Sequence, residues 1–270
     1  MHNYNRLSIV MIIIGEKLNS SLHRANTAMS GSDEDLLTLI REQEAGGANY
    51  LDVNTALFGT DEFSVMERVI GLIHKHSRCI VMPDSPDIDV LYKAARLCEG
   101  RCLLNSFSAG DDLTRLIELM RETGCSAVIL PTESGRVPTE PRERLELAKS
   151  ALSRLNAAGI SSERVYIDIL ATSLAVNPNA ARQAIETLRL LKAETDAMTI
   201  CGVSNISFGL PKRVLINSAF LTTAIFDRLD AAIIDPCRSE LVGALRAAEA
   251  VSGCDDYCVE YINFVREEYL

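Results

Sequence analysis

Concentrated positive charge is missing from this sequence. Its 27 Lys and Arg residues face 37 Asp and Glu residues, the formal net charge is −10, and the basic residues form no cluster. Neutralising the phosphates of a nucleic acid or of an acidic membrane surface needs concentrated positive charge. The composition therefore argues against nucleic acid and membrane surfaces as partners.

No apolar segment is long enough to cross a bilayer. The longest early apolar run, Leu7 to Ile14, is followed directly by Gly15 and Glu16, and it is far shorter than the roughly 20 residues that a membrane helix needs. A small-residue cleavage pattern, as in a secretory signal, is also absent. We interpret this run as a buried strand and expect no membrane association.

Closely spaced metal-binding or disulfide motifs are absent as well. The cysteines are scattered, and neither C-x-x-C nor H-E-x-x-H occurs. Without a secretion signal, this pattern favours reduced thiols in the cytoplasm over a disulfide framework. Of the histidines, only His23 could approach a predicted site, together with Cys201 and Cys237. That set lacks ligand spacing, so we expect no metal site.

The chain does contain a regular alternation of short apolar runs and longer amphipathic stretches. The runs predict strands at 9–14, 48–53, 79–83, 101–104, 126–130, 164–168, 198–201 and 230–234. The stretches predict helices at 34–45, 61–76, 87–98, 110–123, 140–157, 178–193, 213–227 and 238–252. Because no linker interrupts this order, it predicts one α/β domain over residues 1–270, a single (β/α)8 TIM barrel with an additional C-terminal helix at 254–270.

Acids and amides recur where the predicted strands end. They are Glu16, Asn19, Asp52, Asn54, Asp84, Asn105, Asp168, Asn205 and Asp235. Asp and Asn are common turn residues, but only the predicted strand 126–130 ends without one. In a barrel these ends converge on the face that carries the chemistry. With no His or Lys at a predicted strand end, the set suits a polar heterocycle held by hydrogen bonds.

An aminopyrimidinone-type ring fits this set of side chains. Its adjacent N–H donors suit a carboxylate that accepts two parallel hydrogen bonds, and amides suit its mixed edge. Asp84, Asn105 and Asp168 could supply these groups. A phosphorylated ligand is a weaker alternative, because the turn after the eighth predicted strand begins Asp235-Pro236. A carboxylate repels the anion there, and a proline has no N–H to offer.

Short motifs at successive strand ends carry a family resemblance. They are Gly15-Glu16-Lys17-Leu18-Asn19, Leu51-Asp52-Val53-Asn54, Asp84-Ser85, Leu104-Asn105-Ser106, Tyr166-Ile167-Asp168, Gly202-Val203-Ser204-Asn205 and Leu215-Ile216-Asn217. In this order the chain resembles the pterin-binding barrel family, most closely the methyltetrahydrofolate:corrinoid protein methyltransferases. That group includes the folate module of cobalamin-dependent methionine synthase.

The resemblance implies a role for each matching residue. Asp84, Asn105 and Asp168 would hold the pterin edge, Gly202 and Ser204 would form the surrounding wall, and Arg213 would lie close to the folate. Asn205 matches the amide that the family places on the ring nitrogen carrying the methyl group, which makes it the expected catalytic residue. Further pocket residues would be Glu16, Asn19, Asp52, Asn54 and Asp235.

The implied activity is transfer of a methyl group between the pterin nitrogen of methyltetrahydrofolate, or tetrahydrofolate in reverse, and the cobalt of a corrinoid (cobalamin). The Asp-x-His-x-x-Gly signature of corrinoid-carrying domains is missing, so we expect a separate corrinoid protein to dock over the strand ends. Relatives suggest a homodimer. Phe208 departs from the polar residue of the corrinoid iron–sulfur-protein methyltransferases, and this leaves the partner's identity open.

Two alternatives remain at this point. Dihydropteroate synthase, the sister family, shares the fold and the acidic pterin contacts, but its Ser-Arg-Lys phosphate-binding turn after the seventh strand is absent here. A folate-binding subunit without catalysis would keep the same pocket. The residues do not set the direction of methyl transfer or the pathway that it serves, and the proton for the leaving nitrogen is expected to come from solvent.

Overall fold

The computed structural model describes residues 11–269, with only the backbone described for Tyr269. Its strands are β1 Ile12–Asn19, β2 Tyr50–Asn54, β3 Ile80–Asp84, β4 Leu103–Ser108, β5 Ser126–Leu130, β6 Val165–Asp168, β7 Met198–Gly202 and β8 Ala231–Ile234. Its α-helices are α1 His23–Ser30, α2 Asp33–Ala45, α3 Glu62–His76, α4 Ile88–Leu97, α5 Thr114–Thr123, α6 Pro141–Ala157, α7 Ala180–Glu194, α8 Arg213–Phe226, α9 Ser239–Ser252 and α10 Val259–Tyr269.

The eight strands close into a parallel barrel in sequence order. Each strand pairs with its neighbours along the chain, and β1 pairs with β8 to close the ring. Helices connect consecutive strands, as parallel pairing requires. The predicted (β/α)8 barrel is confirmed, as is the additional C-terminal helix, α10. Among the residues that the structure describes, no helix combines the length and the apolar character needed to span a membrane.

Two apolar layers form the core. Successive strand side chains point to opposite faces of a sheet, so every strand contributes to both layers. The inner layer fills the barrel and contains Ile14, Met82, Leu103, Val128, Tyr166, Ile200 and Ala231. The outer layer packs residues such as Leu51 and Val81 against the surrounding helices. The barrel below its mouth is therefore a packed core, and a ligand has room only above the inner layer.

The structure departs from the predicted elements at several positions. β1 continues to Asn19 and β4 to Ser108, beyond the predicted ends at 14 and 104. The predicted strands stopped too early because the apolar runs are followed by polar residues, which face the barrel mouth. Residues 9 and 10 of the first predicted strand lie outside the described residues. Helix α1 was not predicted, and no side chain caps its N-terminus.

Candidate functional site

The sheet register places the polar residues of the first four strands side by side. Asn19 pairs with Asn54, Asn54 with Asp84, and Asp84 with Asn105. Asp84 follows the inward-facing Met82 by two residues and therefore faces the same way. These side chains accordingly line one half of the barrel mouth, directly above the apolar inner layer.

The other half of the mouth follows the same alternation. Asp168, Gly202 and Asp235 each lie two residues beyond an inner-layer side chain or one packed against it, and those residues are Tyr166, Ile200 and Ile233. On β5 the corresponding residue is Leu130, which packs against the inner layer. The structure thus brings the predicted strand-end residues to one face, with an apolar side chain only at β5.

Two strand bulges adjust the side chains at the mouth. The β1–β2 register shifts between Gly15 and Leu18, and the β4–β5 register shifts between Leu104 and Phe107. A bulge inserts one extra residue and redirects the neighbouring side chains. The first bulge contains Glu16 and Lys17, and the second contains Asn105. Hydrophobic alternation along the sequence does not indicate such insertions.

Glu16 and Lys17 link the first strand to the last two. Ser204 Oγ donates a hydrogen bond to Glu16 Oε1 at 2.7 Å, and Lys17 Nζ lies 3.0 Å from Asp235 Oδ2. Burial raises the pKa of Glu16, and the hydrogen bond from Ser204 opposes that shift. The expectation that no Lys stands at a strand end is wrong, because the strand continues past its predicted end at residue 14 and carries Lys17 into the mouth.

Asn54 fixes the orientation of Asp84. The Nδ2 group of Asn54 donates to Asp84 Oδ2 at 2.8 Å, while Asn54 Oδ1 accepts from the backbone N–H of Ala56 at 3.2 Å. Because the two ends of the amide have different partners, the amide cannot flip without losing both. Burial raises the pKa of Asp84, and the charge of Glu62 raises it further. Asp84 Oδ1 accepts no hydrogen bond from the described residues and is available to a ligand.

Asp168 lies on the opposite side of the mouth beside a buried arginine. Its Oδ1 accepts from the backbone N–H of Leu170 at 2.7 Å. Burial raises the pKa of Asp168 to about 6, although the Leu170 hydrogen bond and the charge of Arg144 oppose the shift. Arg144 is 1% exposed and donates to the Ile169 carbonyl at 3.0 Å. Sequence reasoning missed Arg144, and its place in the buried stripe of α6 was the available signal.

Gly202 and Asn205 are in close contact after β7. A Cβ atom on Gly202 would lie 2.9 Å from Asn205 Nδ2. The amide of Asn205 therefore occupies the space that a side chain at position 202 would take, at the edge of the mouth. Asn205 is exposed, and its side chain makes no hydrogen bond to another described residue. It is free to contact a ligand.

Arg213 supports the turn that carries Asn205. Its Nη2 donates to the Ser204 carbonyl at 2.7 Å, and its Nε donates to Ser207 Oγ at 3.0 Å. The guanidinium is close enough to Glu16 that its charge lowers the pKa of that carboxyl. Arg213 thus stabilises the β7–α8 turn and brings a positive charge near Glu16.

Three of the candidate residues are engaged in a local turn or lie outside the mouth. Asn19 Oδ1 accepts from the backbone N–H of Ser21 at 2.9 Å, so its oxygen stabilises a local turn. Cys201 is buried in the outer layer with the helices, and His23 begins α1 on the surface. Within residues 11–269, no group of three or more His, Cys, Asp and Glu side chains is placed to hold a metal ion.

The deepest carboxylate of the mouth is Asp52. It is 4% exposed, and no hydrogen-bond partner is present for its Oδ1. Burial raises its pKa well above the ordinary value, the charges of Asp84 and Glu16 raise it further, and a hydrogen bond from Asn105 opposes these effects. The mouth as a whole offers carboxylate acceptors on two sides and amides between them, which suits a flat heterocycle with several N–H donors.

A family model and two known proteins each match most of this chain. A family model described as pterin binding enzyme matches residues 20–235. The chain is 29% identical over 265 residues to the methylcorrinoid:tetrahydrofolate methyltransferase of Eubacterium limosum, covering 95% of this chain and 97% of that protein. It is 28% identical over 240 residues to methionine synthase of Mycobacterium leprae, covering 83% of this chain but 20% of that protein.

Solved structures show the same fold at lower sequence identity. A Yersinia pestis dihydropteroate synthase bound to a pterine-sulfa conjugate has a TM-score of 0.68 at 15% identity, covering 91% of this chain and 95% of that one. The Coxiella burnetii dihydropteroate synthase in complex with pteroic acid has a TM-score of 0.65 at 17% identity, covering 94% and 96%. At this identity the likeness establishes the architecture only.

Proposed function

This chain belongs to the family of pterin binding enzymes, and we propose that it transfers a methyl group between methyltetrahydrofolate and the cobalt of a corrinoid held by a separate protein. One observation carries the proposal. Asp84, Asn105 and Asp168 line one barrel mouth, and the unbonded amide of Asn205 stands at its edge. The similarity to a methylcorrinoid:tetrahydrofolate methyltransferase over 95% of the chain supports it.

The pterin ring would be held by its hydrogen-bonding edge. Asp84 and Asp168 each keep one oxygen free of the protein contacts described above, so each can accept from an N–H group of the ring. Asn105 lies beside Asp84 in the register and can both donate and accept. Gly202 and Ser204 would form the wall of the pocket, with Arg213 near the folate. Glu16 would act through its hydrogen bond with Ser204.

Asn205 would act on the nitrogen that carries the methyl group. A tertiary amine is a poor leaving group, so this nitrogen must be protonated or strongly hydrogen-bonded as the carbon–nitrogen bond breaks. An amide N–H can strengthen such a bond as charge develops, although it cannot supply the proton itself. The proton would come from solvent through ordered water. The partner's corrinoid would supply the nucleophile that takes the methyl group.

The rim of the mouth carries exposed apolar side chains suited to a protein partner. Leu57, Val176 and Phe208 are 69%, 86% and 69% exposed. Each lies in a connection that follows the carboxyl end of a strand, after β2, β6 and β7 respectively. The connections after β6 and β7 adjoin, because Ser173 Oγ donates to the Phe208 carbonyl, and adjoining exposed apolar groups mark interaction sites. A corrinoid protein that brings its cobalt to the mouth must cover this rim.

Replacing Phe208 with serine is expected to weaken use of the corrinoid protein. With that partner below saturation the transfer rate should fall about tenfold, because aromatic anchors dominate interface energies. With excess free cobalamin the rate should stay unchanged. Phe226→Ser is the matched control, because Phe226 is 63% exposed but ends α8, away from the mouth. Equal loss with free cobalamin would show that Phe208 acts on the folate site instead.

Mixing purified protein, methyltetrahydrofolate and a chemically reduced corrinoid tests the proposed function. The cobalt spectrum should change only when protein and methyltetrahydrofolate are both present. A protein that binds methyltetrahydrofolate in calorimetry but never changes the spectrum would be a folate-binding subunit without catalysis. Failure to bind reduced folates at all would refute the proposal.

We also propose a homodimer in the cytoplasm, with residues 1–270 acting as one domain. Helix α10 supports the dimer, because it presents Tyr261 and Ile262, 38% and 41% exposed, on the surface. All eight cysteines fall within the described residues, and each is a free thiol, which supports a reducing compartment. Sedimentation of the purified protein would establish the oligomeric state.

A further inference from the structure

Asp52 is the only carboxylate of the described mouth that is both almost fully buried and incompletely bonded. It is 4% exposed, and its Oδ1 has no hydrogen-bond partner. Glu16, Asp84 and Asp168 are less buried and each accepts at least one hydrogen bond from the protein. An unbonded oxygen on a buried charged group is strongly unfavourable, and a group in such a position tends to take up a proton.

The charges around Asp52 come from several elements. Asp84 on β3 and Glu16 on β1 are its acidic neighbours, and Asn105 on β4 donates to it. Beyond them, Glu62 on α3 acts on Asp84, while Asp235, Lys17 and Arg213 act on Glu16. Lys17 is bound to Asp235 and Arg213 to the β7–α8 turn. Neither cation bonds to Asp52, and both act on Glu16 instead, lowering its pKa. Among the described residues, no cation contributes to the surroundings of Asp52 itself.

A proton on Asp52 removes both the buried charge with an unbonded oxygen and the repulsion between Asp52 and its acidic neighbours. As a carboxylate, Asp52 would face Asp84 and Glu16, which can only accept hydrogen bonds when ionised. As a carboxylic acid, it carries a donor that one of these neighbours can accept, and it removes one negative charge from the group. Closely placed carboxylates commonly share a proton in this way.

We propose that Asp52 is an uncharged carboxylic acid in the ligand-free protein and that its O–H group donates to the neighbouring Asp84, helping to hold that carboxylate for the pterin. The role in pterin binding rests on the proposed function, whereas the protonation state does not. Asp52 is then a positioning residue. It holds Asp84 from the floor of the pocket, and Asn54 holds the same carboxylate through its own hydrogen bond to Oδ2.

The pH dependence of thermal unfolding tests the protonation state. A carboxyl whose pKa is raised on folding destabilises the protein increasingly as pH rises above about 4, its unfolded value. Asp52→Asn is neutral at every pH and keeps a donor. Its Tm should exceed that of the wild type by about 2–4 °C at pH 8, with the difference shrinking towards pH 4. Asp235→Asn, which breaks the ion pair with Lys17, is the matched control and should show no such gain.

An Asp52→Asn variant less stable than the wild type at every pH would overturn the proposal. An infrared measurement on the wild type guards against a variant that does not fold. A protonated-carboxyl C=O band should persist at pH 8 in the ligand-free wild type, where Asp168, with a pKa of about 6, is ionised. The complete absence of such a band would also overturn the proposal.

Tetrahydrofolate binding tests the positioning role. Asp52→Asn should keep the Kd within about threefold of the wild type, because its amide can donate in place of the O–H, whereas Asp52→Ala should raise the Kd about tenfold. Equal losses in the two variants would mean that Asp52 binds as a carboxylate, against the proposal. If the wild type itself ignores tetrahydrofolate, the proposed function fails, and the thermal and infrared results still decide whether Asp52 is protonated.

Discussion

Asn205→Ala is expected to slow methyl transfer by roughly tenfold or more while changing the affinity for methyltetrahydrofolate much less. The amide stands at the edge of the mouth without a hydrogen bond to any described residue. Its contact with the ring nitrogen should be weak in the bound substrate and should strengthen as charge develops on that nitrogen. An interaction made chiefly in the transition state lowers kcat when it is removed and leaves ground-state binding largely intact.

Gly202→Ala offers a test of the same contact without removing the amide. The backbone of Gly202, with φ −75° and ψ 91°, is accessible to alanine, but the new Cβ would lie 2.9 Å from Asn205 Nδ2. The amide must move away, so we expect a smaller loss of rate in the same direction as Asn205→Ala. Single-turnover transfer to free cobalamin, with calorimetric Kd values, separates rate from binding. Equal losses of rate and affinity in Asn205→Ala would contradict the catalytic assignment.

Asp168→Ala is expected to weaken methyltetrahydrofolate binding by about 10- to 100-fold, since hydrogen bonds to charged groups contribute about 1.5–3 kcal/mol. Asp84→Ala should have an effect of similar size, because each carboxylate keeps one oxygen for the pterin. Titration calorimetry with methyltetrahydrofolate measures the change. Unchanged affinity in either variant would remove that residue from the pterin edge.

The pH dependence of binding provides a second measurement on Asp168. Its pKa of about 6 in the ligand-free protein means that the carboxyl takes up a proton as pH falls from 7 to 5. A protonated carboxyl loses an acceptor for the N–H groups of the ring, so affinity should fall towards pH 5. Asp168→Asn cannot titrate, and it serves as the control. If the variant loses affinity with falling pH as steeply as the wild type, another group is responsible.

The fold could be predicted from the sequence because its signals are local. Eight apolar runs separated by amphipathic stretches specify the order of strands and helices, and Ser32 caps α2 by accepting from the N–H of Asp35, as residues of that type commonly do. Helix α1 lacks both a capping side chain and a long apolar stripe, so it could not be predicted. The ends of β1 and β4 were missed for a related reason, since their last residues are polar.

The sequence alone determined the barrel and the identity of the acids and amides near its strand ends. Both depend on neighbouring residues, because the apolar runs and the order of the eight strands can be identified from short segments. The pairing of Lys17 with Asp235, the buried position of Arg144 and the depth of Asp52 depended on the tertiary structure. Register, bulges and distance from solvent arise only when strands far apart in the chain close into a ring. Those same quantities set the charge of each carboxyl, and with it the chemistry available at the mouth.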